Sequence, residues 1–513
     1  MTPFKIFLPD SLRIGLPLLL ALFLFGCGTG KYNEDGQFDT AFGSRLFEKS
    51  FDLIDAYHID PPTTRELALA GIENLSTLDP DLESEATDNS ILFSYNGEEL
   101  FILSTPEGND HGAWARLTSS AIRTIQQQSG DLSRLKNGAI YQAVLDGMMG
   151  ELDRFSRYSN PEQVESYRQR RDGYEGIGIT IITDEQGVRI LSVFETGPAF
   201  NAGLKPNDLI TFIDGQSVEG LGDAEIVRKI TGPRGTKVQL TIVRNISQPD
   251  EEHFTQYITR RFVHTQTVHL DKRESLAFIR IDNFTSRETF DDLERILESL
   301  LETDTSGSEE RLEGIVLDLR NNGGGLVSMA VQIADLFLEK GIILDTDGRH
   351  ERSIEQYKAE KGDILDGLPI VVLVNGNSAS ASEILVAALK YNHRAVIIGS
   401  KSFGKGSVQK PSSLPNGGEM ALTWSLFYAP SGQLIHELGI SPDICSSRPD
   451  FTVQEDWSPE QIRAYLKELR IRHFQGLSKN EEQDCPKSFE SSLTDEKLAE
   501  VIIGNKELFD AFR

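Results

Sequence analysis

Between residues 370 and 389 the chain passes from five consecutive apolar residues, Ile370-Val-Val-Leu-Val374, through the small polar stretch ending in Ser378-Ala-Ser-Ala-Ser382, into the helical run Glu383-Ile-Leu-Val-Ala-Ala-Leu389. A run with no polar alternation predicts a buried strand, and the apolar run after it predicts a helix. Ser380 therefore falls at a strand-to-helix turn, where its hydroxyl is exposed and unpaired backbone N–H groups are free to hold an oxyanion. Downstream, Ser402-Phe-Gly-Lys-Gly-Ser-Val-Gln409 presents Lys405 next to the apolar strand Ala395-Val-Ile-Ile398. The two residues together supply a nucleophile and a base without histidine.

That chemistry makes a demand on Lys405. A serine hydroxyl is a poor nucleophile until a base takes its proton, and lysine serves only if burial lowers its pKa from about 10.4 towards neutrality. The place of Lys405 between Phe403, Gly404 and Gly406 predicts partial desolvation. The competing readings are weaker. Ser378, Ser380 and Ser382 could merely cap the following helix. Gly399-Ser-Lys-Ser-Phe-Gly-Lys-Gly406 nearly matches a phosphate-binding loop, but Gly406 stands where the metal-binding hydroxyl belongs. His393 and His436 carry no triad signature, and no Cys/His cluster has metal-ligand spacing, so no metal or cofactor is expected.

The surrounding pattern from about 262 to 447 is α/β. A strand at Leu276–Ile281, an amphipathic helix near 289–302 and a strand at Gly314–Leu319 lead into Arg320-Asn-Asn-Gly-Gly-Gly325, whose glycines let backbone N–H groups converge on an anion. The acidic stretch 304–311 reads as a surface loop. Residues 173–246 form a smaller β-rich module, with short runs at Ile177–Ile182, Val188–Val193, Leu209–Ile213 and Val238–Val243. The preceding 27–172 are mostly helical, with a hairpin across Ile91–Leu103 turned by Asn96-Gly97. Within them Ala68–Asp79 and Tyr141–Asp153 repeat one pattern, each ending in Leu-Asp. Residues 448–513 are helical and charged, with a helix start at Trp457-Ser-Pro-Glu-Gln-Ile462.

The N-terminus sets the compartment. Lys5 and Arg13 precede the apolar Ile14–Gly26, too short to span a bilayer comfortably, so residues 1–26 read as a signal peptide. Leu24-Phe-Gly-Cys27 resembles a bacterial lipobox, with Phe25 bulkier than the pattern, and implies lipidation of Cys27. The chain would then be held to a membrane and face the periplasm; Gly28 favours the outer membrane. In that oxidising space Cys445 and Cys485 either pair or remain two free thiols. The formal charge of -28 argues against nucleic acid as a partner.

Four segments carry a resemblance: Leu317-Asp-Leu-Arg-Asn-Asn-Gly-Gly-Gly325, Ser378-Ala-Ser-Ala-Ser-Glu-Ile384, Phe403-Gly-Lys-Gly-Ser-Val-Gln409 and Tyr428-Ala-Pro-Ser-Gly432. Together they resemble the carboxyl-terminal processing (tail-specific) peptidases, across roughly residues 139–447. The resemblance implies Ser380 as nucleophile, Lys405 as base and Gln409 as the residue orienting that lysine. It also implies an oxyanion hole from the N–H groups of Gly324 and Ala381. Gly176-Ile-Gly-Ile179, with Pro198–Leu204 and Asn207–Gly215, resembles a PDZ domain. By that likeness the N–H groups of Gly176, Ile177, Gly178 and Ile179 would hold the carboxylate of a polypeptide C-terminus. The expected molecule is multidomain α/β: a helical N-terminal region, a PDZ-like domain at 173–246, a layered crotonase/Clp-like protease core at 247–447 and a helical tail at 448–513. Its expected partners are polypeptides with accessible C-termini, the membrane, and an adaptor or second copy of the chain. A silent tail-binding scaffold of the same fold is the alternative.

Overall fold

The computed structural model describes residues 36–184, 187–194, 197–246, 248–264, 266–305, 311–360, 362–474 and 485–513. The signal segment and Cys27 lie outside the described residues, as does most of the acidic loop expected at 304–311.

Five helices begin the described chain: α1 (Thr40–Tyr57), α2 (Thr64–Glu73), α3 (His111–Gln128), α4 (Asn137–Gly150) and α5 (Pro161–Asp172). Between α2 and α3 stands a three-stranded sheet, β1 (Leu82–Ala86), β2 (Ser90–Tyr95) and β3 (Glu98–Ser104). Its β2–β3 turn places Asn96 at φ 54° and Gly97 at φ 77°, the left-handed pair that a tight hairpin requires. The two similar sequence segments fold as α2 and α4, and they pack on each other. Gly147 admits the Ala70 carbonyl and Gly71 the Val144 carbonyl; a Cβ at either glycine would meet that oxygen at 2.5 and 2.9 Å. The short β4 (Arg157–Ser159) then joins this region to the protease core.

The PDZ-like module contains β5 (Tyr174–Gly176), β6 (Ile179–Asp184), β7 (Gly187–Val193), the short α6 (Pro198–Asn201), β8 (Leu209–Ile213), β9 (Gln216–Ser217), α7 (Asp223–Ile230), β10 (Lys237–Arg244), β11 (Glu252–Thr259) and β12 (Arg261–Val263). Its sheet runs β11-β10-β8-β7-β6, which leaves β6 at an edge. The sheet itself runs on past the boundary expected at 246. β11 pairs with β10 along the whole strand, from Lys237↔Thr259 to Arg244↔Glu252, and so carries the domain to Thr259.

The protease core is built on a six-stranded sheet, β13 (Val268–Arg273), β14 (Leu276–Ile281), β15 (Gly314–Asp318), β18 (Ile370–Val374), β19 (Ala395–Gly399) and β22 (Ile444–Cys445), parallel throughout except for β13. Period-2 alternation sorts its side chains. Ala277, Ile279, Ile370, Val372 and Ile397 face the helices α8 (Thr289–Thr305), α9 (Val327–Phe337) and α10 (Ala381–Tyr391). Phe278, Val316, Val371, Leu373, Val396 and Ile398 face the other way, onto Ile462, Leu466, Leu498, Ile502 and Phe509. Those residues belong to α11 (Pro459–Phe474), α12 (Leu493–Ile503) and α13 (Lys506–Phe512). The helical tail expected at 448–513 is thus the second helical layer of the core, because a sheet apolar on both faces must be covered on both. A second, antiparallel sheet comprises β16 (Ile342–Asp347), β17 (Glu355–Lys358), β20 (Ser407–Ser413) and β21 (Glu419–Tyr428), with β4 added against β21.

Candidate active site

The parallel strands β15, β18 and β19 end at one edge of the core sheet, and each is followed by one of the three loops singled out by sequence. Open α/β sheets place ligands at that carboxyl edge. After β18, Ser380 directly precedes α10 and takes φ 58°, an uncommon value for a residue with a Cβ. Its two serine neighbours have structural duties. Ser378 Oγ donates to the Leu319 carbonyl at 2.8 Å and Ser382 Oγ to the Asn322 carbonyl at 2.8 Å, tying this turn to the glycine loop.

Glu383 fastens the Ser380 and Lys405 loops to one another. Its Oε2 accepts the N–H of Ser380 and the N–H of Lys405, each at 2.8 Å; its Oε1 accepts Gly404 N–H at 2.7 Å and Ser402 Oγ at 2.5 Å. Burial pushes this carboxyl's pKa up, and these four donors oppose the rise. Sequence reasoning missed the role. Glu383 stands three residues after Ser380, the ordinary capping-box position, and its reach to Gly404 and Lys405 is visible only in three dimensions.

Lys405 is half-buried, and its pKa is lowered, first by burial and then by the charge of Arg157, against opposing pulls from Asp153 and Glu383. Phe155 supplies a hydrophobic wall, its ring centroid 5.2 Å from Lys405 Nζ. This aromatic comes from the joint between α4 and β4, outside every motif that marked the site.

Two expected roles are not realised in this arrangement. Gln409 donates to Ser407 Oγ at 2.9 Å and Thr423 Oγ1 at 3.4 Å and makes no hydrogen bond with Lys405, because a register shift between Val408 and Gln409 re-aims it along β20. It ends a buried chain instead. Thr423 donates to Asp153 at 2.8 Å, and Asp153 pairs with the buried His58 at 2.9 Å. Burial pushes the Asp153 carboxyl up, but hydrogen bonds from His58, Ser156, the Phe155 N–H and Thr423 outweigh it and hold its pKa well below the usual range. The second departure is Gly324, whose N–H donates to Asn322 Oδ1 at 2.9 Å in a side-chain turn. Gly324 does lie beside the nucleophile: a Cβ on it would meet Ser380 Cβ at 2.8 Å and Ala381 N at 2.9 Å. Ala381 opens α10, so its N–H has no carbonyl within the helix to bond.

In the PDZ-like module, Gly176 ends β5, Ile177 is fully buried, Gly178 takes φ 79° and Ile179 begins the edge strand β6. Ile177, Ile179 and Ile181 line one wall of a groove of about 170 Å³, and Val227, Ile230 and Thr231 of α7 line the other. Tyr174 enters this groove. Its ring lies over Gly176, and its hydroxyl bonds the backbone of Ile179.

Residues 275–446 match the model of peptidase family S41, and residues 163–243 match the PDZ domain. A carboxy-terminal-processing protease of Bartonella bacilliformis is 35% identical over 348 residues, covering 67% of this chain and 76% of that protein. The chain belongs to peptidase family S41. This family member is a serine-type peptidase carrying a PDZ domain. It is also 33% identical over 314 residues to a Staphylococcus aureus protein described as "Probable CtpA-like serine protease", covering 60% of each chain. Among solved structures, the photosystem II D1 C-terminal processing protease is 24% identical to the family S41 chain, with a TM-score of 0.40, covering 78% of this chain and 92% of that one.

Proposed function

We propose that the chain is an endopeptidase that cleaves polypeptides after holding their C-termini, with Ser380 as nucleophile and Lys405 as general base. The observation that carries this reading is the shared carboxylate of Glu383, which holds the backbone N–H groups of both residues. The neutral Lys405 amine takes the Ser380 proton as Oγ bonds to the scissile carbonyl carbon. The resulting ammonium returns that proton to the leaving amine as the C–N bond breaks. Water then gives its proton to Lys405 and attacks the acyl-enzyme ester, releasing Ser380. The Ala381 N–H, at the positive end of α10, faces the developing oxyanion, and Gly324 N–H joins it on leaving Asn322.

Tail capture falls to the groove of the PDZ domain. Its edge strand can pair with an extended peptide, and the wall of Ile177, Ile179 and Ile181 suits an apolar last residue. Lipidation of Cys27 would hold the enzyme on the periplasmic side of a membrane, the outer membrane being favoured by Gly28. Mass analysis of the mature N-terminus checks the anchor, and an unmodified residue 27 removes it.

The first prediction concerns the chemistry. An unfolded protein ending in an apolar residue is digested by the wild type, while Ser380→Ala and Lys405→Ala each lose at least about a thousandfold in kcat. Equal digestion by Ser380→Ala would leave a tail-binding scaffold as the reading. Full activity in Lys405→Ala would remove the assigned base alone.

A further inference from the structure

The segment from Cys485 to Ser492 lies beyond the span matched by the family model, which ends at residue 446. It is tethered at its start by a disulfide between Cys485 and Cys445, the last residue of β22. From there it crosses the carboxyl edge of the core sheet in extended form and touches all three loops of the site.

Lys487 Nζ donates to the carbonyl of Phe403 at 2.7 Å, two residues before the base. The Ser488 carbonyl accepts Gly376 N–H at 2.6 Å and Ser400 Oγ at 3.0 Å, and Ser488 N–H returns to Ser400 Oγ at 3.1 Å. Asn375 donates to the Phe489 carbonyl at 3.4 Å, and a Cβ on Gly376 would strike the Phe489 ring at 2.9 Å. On the glycine-loop side, Asn321 donates to Ser491 Oγ at 3.3 Å and Arg320 to the Ser492 carbonyl at 2.7 Å. Arg320 is buried and also bonds Asp318 and Glu496, so the far end of the segment is held by a side chain that is itself fixed in place.

We propose that residues 485–492 are a disulfide-tethered strap that sets the relative positions of the three catalytic loops, with Lys487 as the positioning residue for the Lys405 loop. Small displacements of a base cost rate steeply, because proton transfer needs hydrogen-bond reach. The strap bonds the backbones of the loops at Phe403 and Gly376, while the groove for the C-terminus belongs to a different domain. Loosening it therefore lowers kcat and leaves KM nearly unchanged.

The inference rests on the Ser380–Lys405 reading and can fail separately from it. Full-length wild type, Ser380→Ala, Lys487→Met, Lys487→Arg and the double variant Cys445→Ser/Cys485→Ser are assayed on the same unfolded substrate, with thermal melts followed by circular dichroism. Expected are a roughly tenfold fall in kcat for Lys487→Met with KM within about twofold, most of the rate recovered in Lys487→Arg, and superimposable melts for the two. The cysteine double variant, which keeps Lys487 but frees the tether, falls in kcat in the same direction. A Lys487→Met enzyme with kcat within about twofold of wild type overturns the proposal. A loss that accompanies unfolding and is not restored by arginine also overturns it. An active Ser380→Ala overturns the chemistry beneath it instead.

Discussion

A half-buried amine with an arginine charge nearby holds its proton less tightly than a lysine in water, and Lys405 is such an amine. In the proposed dyad its neutral form is the base, so activity rises as pH rises through that lowered pKa. Arg157→Ala removes a charge that disfavours the ammonium and moves the lysine back towards about 10.4. The acid limb of the kcat/KM profile then shifts to higher pH, with rate lost at neutral pH and recovered in alkali. Asp153 and Glu383, which favour the charged amine, are untouched by the change, so a profile that does not move would deny Arg157 this part. Asp153 obeys the opposite sign. Its folded pKa is depressed, so its contribution to stability is present above the unfolded value of about 3.9 and is lost as pH falls through the folded value.

At the scale of elements, the joint between α2 and α4 depends on two backbones approaching through glycine. Gly147→Ala drives a methyl to within 2.5 Å of the Ala70 carbonyl and 2.7 Å of Asn74 Cβ, which costs about 1–3 kcal/mol by overpacking. Gly150, at the end of the same helix, has nothing within 4 Å of a Cβ, and Gly150→Ala gains up to about 1 kcal/mol from backbone entropy and helix propensity. Urea titration of the two variants should therefore move midpoints in opposite directions. These helices were legible as an apolar periodicity and even as a repeated phrase, since period and composition are local. That the repeat marks a packed pair was not, because the carbonyl facing Gly147 is remote in sequence. The same limit hid Glu383 and Phe155. The strand-turn-helix at 370–389 marked Ser380 from local pattern alone, whereas the groups that lock and cover its partner lysine come from other turns of the chain.

For the whole molecule, the second helical layer decides stability. Leu276, Phe278, Val316, Val371, Leu373, Val396, Ile398 and Ile444 all pack in the cluster shared with that layer. Exposing them costs about 1.5–3 kcal/mol each, a sum that matches or exceeds the 5–15 kcal/mol by which a folded domain is usually stable. A chain ending at residue 447 is accordingly expected in the insoluble fraction; a soluble, active one would contradict the three-layer core. That residues 448–513 form a layer of the core was not legible in the sequence, for a plain reason. Helical charge patterning reports the solvent side of a layer, while the apolar faces of the strands it covers lie as many as two hundred residues earlier.

The strap also has a consequence in time. A ribosome makes residues 485–492 after every loop they touch, and the bridge to Cys445 needs an oxidant as well as a docked segment. Until both are present the proposed strap leaves the three loops unfastened, so a newly made chain cuts slowly and reaches its full rate only as the last act of its own maturation.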